Sequence, residues 1–398
     1  MQLHSPYTFS LAQYGRPAAY PALDGDRSVE VLILGTGISA ALTAWELTGA
    51  GIPCLLLDKR RAATGSTAAS TSLLQYEIDT PLHELAHRVG TADAERSYRL
   101  CYEAIDLLRT VCADAGAAKL FEPKHSLQLA SYQTHVQPLR EEFRLRRALG
   151  FDVEWLDGDE LAHRFGLEKP AALWSRRAGQ IDAYALAHRL LHCVTERGSA
   201  VHEDTEAVSI EHHRSGIEVR TSGGHRVRAR KLVIACGYES QRYLPKAVEE
   251  LFVTYALVTH PLPEPPPWQD HLLWETARPY LYSRSAAGGR LLIGGKDVRY
   301  DGRRYASGLP AKTRAILAAF GKIAPGVPVT AEQSWAGLFA GTADGLPYIG
   351  SVPEQPNTYY SLGFGGNGIL FSVLGARIIA GLIARGKHPD GALFSFSR

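Results

Sequence analysis

Residues 29–34, Val-Glu-Val-Leu-Ile-Leu, make a short branched apolar run, and glycine follows at once in Gly35-Thr-Gly37. Such a run suits a strand buried on both faces of a parallel sheet. Residues 38–49 then carry a helical pattern ending in a glycine cluster, and 53–57 form a second apolar strand closed by Asp58. Strand, glycine turn, helix, strand and acid in that order make a βαβ unit. Gly35 permits the tight turn. Gly37 lets the backbone approach a pyrophosphate. Ile38 and Ser39 open a helix whose N-terminus would face the phosphate charge. Ala40 replaces the third glycine of such a loop and is still small enough for close packing. Asp58 follows Gly37 by about 20 residues, the spacing at which a carboxylate meets ribose hydroxyls. The unit predicts a dinucleotide site in an α/β fold. The plainer alternative is an ordinary strand–helix turn with a surface aspartate.

Composition narrows the class. A chain of 398 residues has room for about two or three domains. Hydrophobic residues at 45% and charged residues at 21% are globular values and exclude disorder, collagen and coiled coil for the whole chain. Lys and Arg number 43 against 41 Asp and Glu, so no basic excess suggests a nucleic-acid partner. Five cysteines without a C-x-x-C pair argue against a disulfide framework or a zinc site and for reduced thiols in the cytoplasm. No basic segment precedes an apolar run at the N-terminus, so no signal peptide is expected. Residues 369–384 are the longest apolar stretch, but Arg377 interrupts them. They read as a buried helix, not a membrane span. A homo-oligomer is left open.

The choice of dinucleotide rests on later segments. Lys59 and Arg60 follow the acid, and then Gly65, Ser66, Thr67, Ser70 and Thr71 form a run of small hydroxyl residues and glycine. Backbone of that kind can pass close to a flat ligand; a surface loop is the alternative. Residues 207–234 alternate with period two and predict an antiparallel meander, with Val208 a candidate cofactor contact. The meander leads into a buried strand ending in Ala235, Cys236 and Gly237. Near the C-terminus, Gly363-Phe-Gly365-Gly366-Asn367-Gly368 opens an apolar helix at Ile369. Two glycine-rich helix starts some 300 residues apart favour a ligand long enough to touch both, FAD over NAD. A helix N-terminus at a flavin would stabilise negative charge on the reduced ring. Elsewhere, helices are expected over 84–116, 135–149 and 182–197, the last capped by Asp182. Strands are expected over 280–282 and 290–294, and 261–267 reads as a stiff proline-rich connector. Residues 1–28 read as a polar arm on the surface or reaching a partner subunit.

These motifs, with residues 335–350, Trp-Ala-Gly337-Leu-Phe339-Ala-Gly-Thr-Ala-Asp344-Gly-Leu-Pro-Tyr-Ile-Gly, resemble the FAD-dependent D-amino-acid oxidase and glycine oxidase superfamily, which includes sarcosine oxidases and γ-glutamyl-putrescine oxidases. The likeness runs from about residue 29 to the C-terminus and is loose over 90–178. It implies a Rossmann-like, glutathione-reductase-like FAD lobe built from 20–85, 178–243 and 335–398. It implies a second, mixed-sheet substrate lobe from 86–177 and 244–334, with 1–19 an N-terminal arm. The implied chemistry is hydride transfer to flavin N5 from a C–H beside the nitrogen of a small amine or amino-acid-like substrate. Oxygen or another acceptor then reoxidises the flavin.

The sequence departs from that pattern where relatives hold the substrate carboxylate. Phe339, Gly366, Leu370 and Gln75 stand at positions that carry arginine or lysine in one branch or another. Glycine and small D-amino acids are therefore expected to be poor substrates. An amine with a remote carboxylate is expected instead, met by Lys296 or Arg284. Tyr280 matches a substrate-contacting tyrosine, with a packed strand aromatic as its plain alternative. Lys296 matches a position close to the flavin, with a solvated lysine as its alternative. Gly337 stands where flavin-linked relatives carry cysteine, which implies non-covalent FAD. No metal-ligand cluster is visible. The lost arginines also leave open a non-enzymatic flavoprotein, or a flavin subunit with a degenerate pocket.

Overall fold

The computed structural model describes residues 1–302 and 308–398; residues 303–307, within the expected substrate stretch, lie outside the described residues. The apolar runs do form buried parallel strands. Arg27–Leu34 pairs in parallel with Cys54–Leu57 on one side and with Arg226–Ile234 on the other. Thr358–Leu362 and Ala200–His202 extend this parallel core, and Tyr348–Gly350 adds an antiparallel edge. Ala207–His213, Gly216–Thr221 and Arg226–Ile234 form the expected antiparallel meander. Because the three central strands run the same way, one sheet edge receives Gly35, Asp58 and Ala235 together. Open α/β sheets bind ligands outside such carboxyl ends.

Helices Ile38–Gly49 and Gly368–Arg385 pack together on one face of this sheet. Residues 365–385 are long and apolar enough to cross a membrane by composition, yet 72% of their most apolar window is buried in the protein. The segment is a core helix, as its sequence suggested. Asp182 caps helix Ala183–Glu196 by accepting a hydrogen bond from Ala185 N at 2.8 Å.

A second sheet has nine strands. Its order is Ala331–Gly341, Glu250–Thr259, Arg290–Arg299, Leu281–Ala286, His271–Glu275, Glu122–Leu129, Ala171–Gln180 and Leu73–Gln75, with Val153–Asp157 beside Ala171–Gln180. All pairs are antiparallel except His271–Glu275 with Glu122–Leu129. Two boundaries expected from sequence, at 177/178 and 334/335, fall inside strands of this sheet, whose pairing continues on both sides of each, with a bulge at 176–177. Leu73–Gln75 also joins it. Helix Thr91–Asp114, expected in the substrate lobe, packs instead against Gly368–Arg385. Its apolar stripe, including Tyr98, Cys101 and Leu108, belongs to the core under the parallel sheet.

The N-terminal arm folds onto its own chain. Leu3, Ser5 and Thr8 are buried, and Phe9–Tyr14 is a short helix. Leu338 N donates to Leu3 O and Ser5 N to Ala336 O, both at 2.9 Å, which lays residues 3–5 along the strand that carries Gly337.

Candidate active site

The carboxyl edge of the parallel sheet opens into a cleft lined from three distant parts of the chain. Gly35 has φ +113°, and a side chain there would meet Ala235 O at 2.3 Å. A Cβ on Gly37 would lie 2.9 Å from Thr67 Oγ1, which instead accepts from Ile38 N at 3.0 Å. The glycine turn and the hydroxyl run are thus packed on each other, and Ser39, Gly65, Ser66, Ser70 and Thr71 share the cleft wall. Asp58 accepts from Thr36 N at 2.9 Å, Thr36 Oγ1 at 2.8 Å and Arg60 N at 2.9 Å, tying the second strand end to the turn. Burial pushes the Asp58 carboxyl up, and these hydrogen bonds oppose it.

Lys59 and Arg60 reach Glu239 at 3.0 and 2.6 Å, beside the chain's own N-terminal ammonium at 3.1 Å. Burial alone would raise Glu239, but these partners prevail and hold it at about 2. Ala235, Cys236 and Gly237 complete this wall. The Cys236 thiol points at Leu34 O, 3.3 Å away, and burial pushes its pKa up.

At the opposite end, Gly337, Phe339, Gly365, Gly366, Gly368 and Ile369 line the same cleft. Neither N-cap residue, Gly37 or Asn367, caps its helix with its own side chain, although Thr67 Oγ1 takes the Ile38 N–H. Two helix N-termini therefore border one space, which favours acceptor oxygens and negative charge.

Two candidates lie elsewhere. Val208 is 59% exposed on the meander, and its neighbour Ala207 lines the cleft instead. Asn367 points away from the cleft and donates from Nδ2 to Gln75 O and Glu77 O, both at 2.8 Å, so it pins the glycine segment to the second sheet.

A second cavity of about 830 Å³ adjoins the cleft. The two share four wall residues, Tyr280, Asp297, Phe339 and Gly365. Phe339 stacks on Phe252 with centroids 5.4 Å apart, and Tyr280 meets Trp274 edge-on at 6.2 Å. The Tyr280 hydroxyl donates to Asp79 Oδ1 at 2.9 Å, while Gly366 N donates to Asp79 Oδ2 at 2.6 Å. Burial, then Asp79, raises the Tyr280 phenol well above its ordinary value. Arg278 lies 3.9 Å from Asp79 and 4.8 Å from the Tyr280 ring.

Lys296 lines neither cavity, and Lys312 Nζ donates to its carbonyl at 2.8 Å. The cause is a bulge. Val253 and Tyr255 oppose Val298 and Gly295, so Lys296 and Asp297 together face Thr254. Lys296 takes φ +60°. A bulge re-aims the side chains beyond it, and Asp297, not Lys296, enters the cavities. Arg284 is also absent from both walls; it is buried and donates to Thr71 O at 2.5 Å. Leu370 packs in the core, and Gln75 lines the cleft. The sequence reading passed over Asp79 and Asp297. Each had a signal in its neighbour, Asp79 before the Thr-Pro turn into a helix and Asp297 beside the Lys296 already singled out.

The family model for FAD dependent oxidoreductases of the DAO type matches residues 30–382. The chain belongs to the DAO family. It is an FAD-dependent oxidoreductase, as its motifs suggested, and FAD is its cofactor. Among relatives, glycine oxidase of Geobacillus kaustophilus is 27% identical, over 93% of this chain and 97% of that protein. Gamma-glutamylputrescine oxidoreductase of Escherichia coli is 22% identical, over 94% of this chain and 88% of that protein. The crystal structure of the Geobacillus glycine oxidase superposes with a TM-score of 0.80 at 23% identity, covering 94% of this chain and 99% of that one, which establishes the shared fold. The cleft fits the DAO cofactor: its walls come from three distant parts of the chain, Gly35, Gly37, Gly65, Gly237, Gly337, Gly365, Gly366 and Gly368 line it, and two helix N-termini border it.

Proposed function

We propose that the protein oxidises a C–N bond of an amine or amino-acid-like substrate in the 830 Å³ chamber. The observation carrying this reading is the junction at which chamber and cofactor cleft share Tyr280, Asp297, Phe339 and Gly365. Bound there, FAD supplies a two-electron acceptor that takes hydride from the carbon next to nitrogen. Gly35, Gly37 and the start of helix Ile38–Gly49 would hold its pyrophosphate, and Asp58 its ribose. Gly366, Gly368 and the start of helix Gly368–Arg385 would border its ring. With Gly337 at the attachment position and the Cys236 thiol turned to Leu34 O, the cofactor is held without a covalent bond. In this reading the parallel sheet is the FAD lobe and the nine-stranded sheet the substrate lobe.

The chamber's chemistry suits an amine better than a small amino acid. Near the junction its wall is aromatic, with Trp274, Tyr280, Phe252 and Phe339, and acidic, with Asp79 and Asp297. Aromatic faces and carboxylates attract an ammonium cation. A carboxylate held against Phe339 would lack the bidentate partner that arginine gives. Lys296 and Arg284 line neither cavity, so a remote anionic group would be met by a chamber arginine, Arg278 beside Tyr280 being the one next to the junction. The test is turnover with oxygen or a dye acceptor across primary and secondary amines, N-methyl amino acids and D-amino acids, with the carbonyl product identified by mass. Carbonyl formation from larger amines is expected. No product from any amine would favour a non-enzymatic flavin subunit.

A further inference from the structure

Every carboxylate and guanidinium on the chamber wall except one has a counter-charge. Asp79 faces Arg278, Glu84 meets Arg88 at 3.4 Å, Glu142 holds Arg146 at 3.0 Å and His83 at 2.6 Å, Lys169 holds Glu275 at 2.6 Å, and Arg299 pairs with Glu250. Among the described carboxylates and guanidiniums of this wall Asp297 alone makes no ion pair, and its Oδ1 is buried without a hydrogen-bond partner. It also stands at the junction, where the reacting carbon must lie between chamber and cofactor.

The backbone is shaped to put it there. Gly295 has φ +136°, and a side chain on it would meet Tyr280 O at 2.2 Å. Lys296 follows at φ +60°, and the extra residue turns Asp297 to face Thr254. Non-glycine residues in the left-handed region are uncommon and gather at functional sites. A carboxylate with one oxygen buried and no counter-charge is costly and calls for a cation.

We propose that Asp297 receives the ammonium group of the substrate and accepts its proton before oxidation. This rests on the amine-oxidation reading above. Amines of ordinary basicity arrive protonated at neutral pH, and a protonated nitrogen has no lone pair to support hydride loss from its neighbouring carbon. In the step, an N–H bond breaks, its electron pair stays on nitrogen, and the proton forms a bond to Asp297 Oδ1. The products are neutral amine and neutral carboxylic acid. Burial disfavours both charged partners, so the neutral pair is the form the site accommodates. The surroundings agree. Burial pushes the Asp297 carboxyl up to about 6, while the Thr254 hydroxyl, Arg278 and Lys312 pull it down and Asp79 pushes it up. The Tyr280 and Tyr282 phenols also face it and remain protonated, and Lys296 flanks it on its own strand.

The experiment uses the FAD-loaded protein and D297N and D297E variants, each first shown to retain full FAD. Binding is read from the flavin spectrum with 1-adamantylamine, which has no C–H beside nitrogen and cannot be oxidised, against neutral 1-adamantanol. The wild type should bind the amine more tightly as pH rises through about 6, as Asp297 ionises. D297N should bind it about tenfold more weakly and lose that pH dependence, with adamantanol unchanged. With an oxidisable amine, D297N should slow flavin reduction about 100-fold at neutral pH, in the range for a lost general base, and D297E should recover part of it. Equal amine binding by wild type and D297N, or an acid limb near pH 6 that survives in D297N, would overturn the proposal. If Asp297-dependent binding appears but no amine reduces the flavin, the ammonium site is supported and the oxidation reading is the one that fails.

Discussion

At the residue scale, the glycines separate a cofactor role from a folding role. Gly35 is required by the protein itself, because its turn lies against Ala235 O. Gly368 is different. It has helical φ −51°, and a Cβ there meets nothing nearer than Phe364 Cβ at 3.7 Å, yet it borders the cleft. Gly368→Val should therefore leave the fold intact and lower FAD occupancy, read from flavin absorbance per mole of protein and unchanged far-ultraviolet circular dichroism. Normal occupancy would make this residue part of an ordinary helix start. Asp58→Ala should weaken FAD binding by about 1–3 kcal/mol, the range for losing a charged hydrogen bond, measured by titrating apoprotein. Its ties to Thr36 mean that unaltered affinity would remove it from the site. Most of the cleft was legible in the sequence because glycine, hydroxyl and acid sit at fixed spacings from a strand end. Asn367 and Val208 were not separable from it, because sequence spacing does not tell which way a side chain turns.

At the element scale, one extra residue decides which of two neighbours enters the chamber. Period two along Arg290–Arg299 would keep Lys296 on the face of Gly294, and a slip of one residue exchanges the faces. The bulge after Gly295 makes that exchange, and only the paired strand reveals it. Lys296→Gly should keep flavin reduction within about threefold of wild type, since glycine takes φ +60° without penalty. A rate loss comparable to that of D297N would return Lys296 to the reacting centre. The strands of the second sheet were the least legible elements. Ala171–Gln180 and Glu250–Thr259 are nearly continuous in burial at one end, so they lack a clean alternation, and their partners lie far away in sequence. Helices Ile38–Gly49, Val136–Ala148, Ala183–Glu196 and Gly368–Arg385 and the hairpin Leu281–Ala286 with Arg290–Arg299 were visible because their contacts are local, whereas Gly158–Phe165 and Leu309–Ile323 were not anticipated.

At the scale of the whole molecule, two sheets and their helices meet at one junction, and burial tunes groups well away from the chemistry. His188 and His271 are both buried, and burial pushes each imidazole down to about 4. Folding thus keeps them neutral, so their contribution is present above the unfolded pKa near 6.5 and is lost as pH falls toward about 4. At pH 5 each should cost about 2 kcal/mol relative to neutral pH, and the melting temperature should fall over that interval. A melting temperature flat from pH 7 to 5 would mean that these rings have partners or solvent in solution. Lobe membership was only partly readable from sequence, because strands Ala171–Gln180 and Ala331–Gly341 run through the expected boundaries. In the proposed reaction a cofactor cleft and an amine-accepting chamber meet at Tyr280, Asp297 and Phe339. Its most direct test is anaerobic mixing of the yellow protein with larger amines beside glycine, sarcosine and D-alanine, following the flavin band. Rapid bleaching by at least one larger amine and slow bleaching by glycine and D-alanine are expected, with FAD recovered intact after denaturation. Rapid bleaching by glycine or D-alanine, or none by any amine, would contradict it.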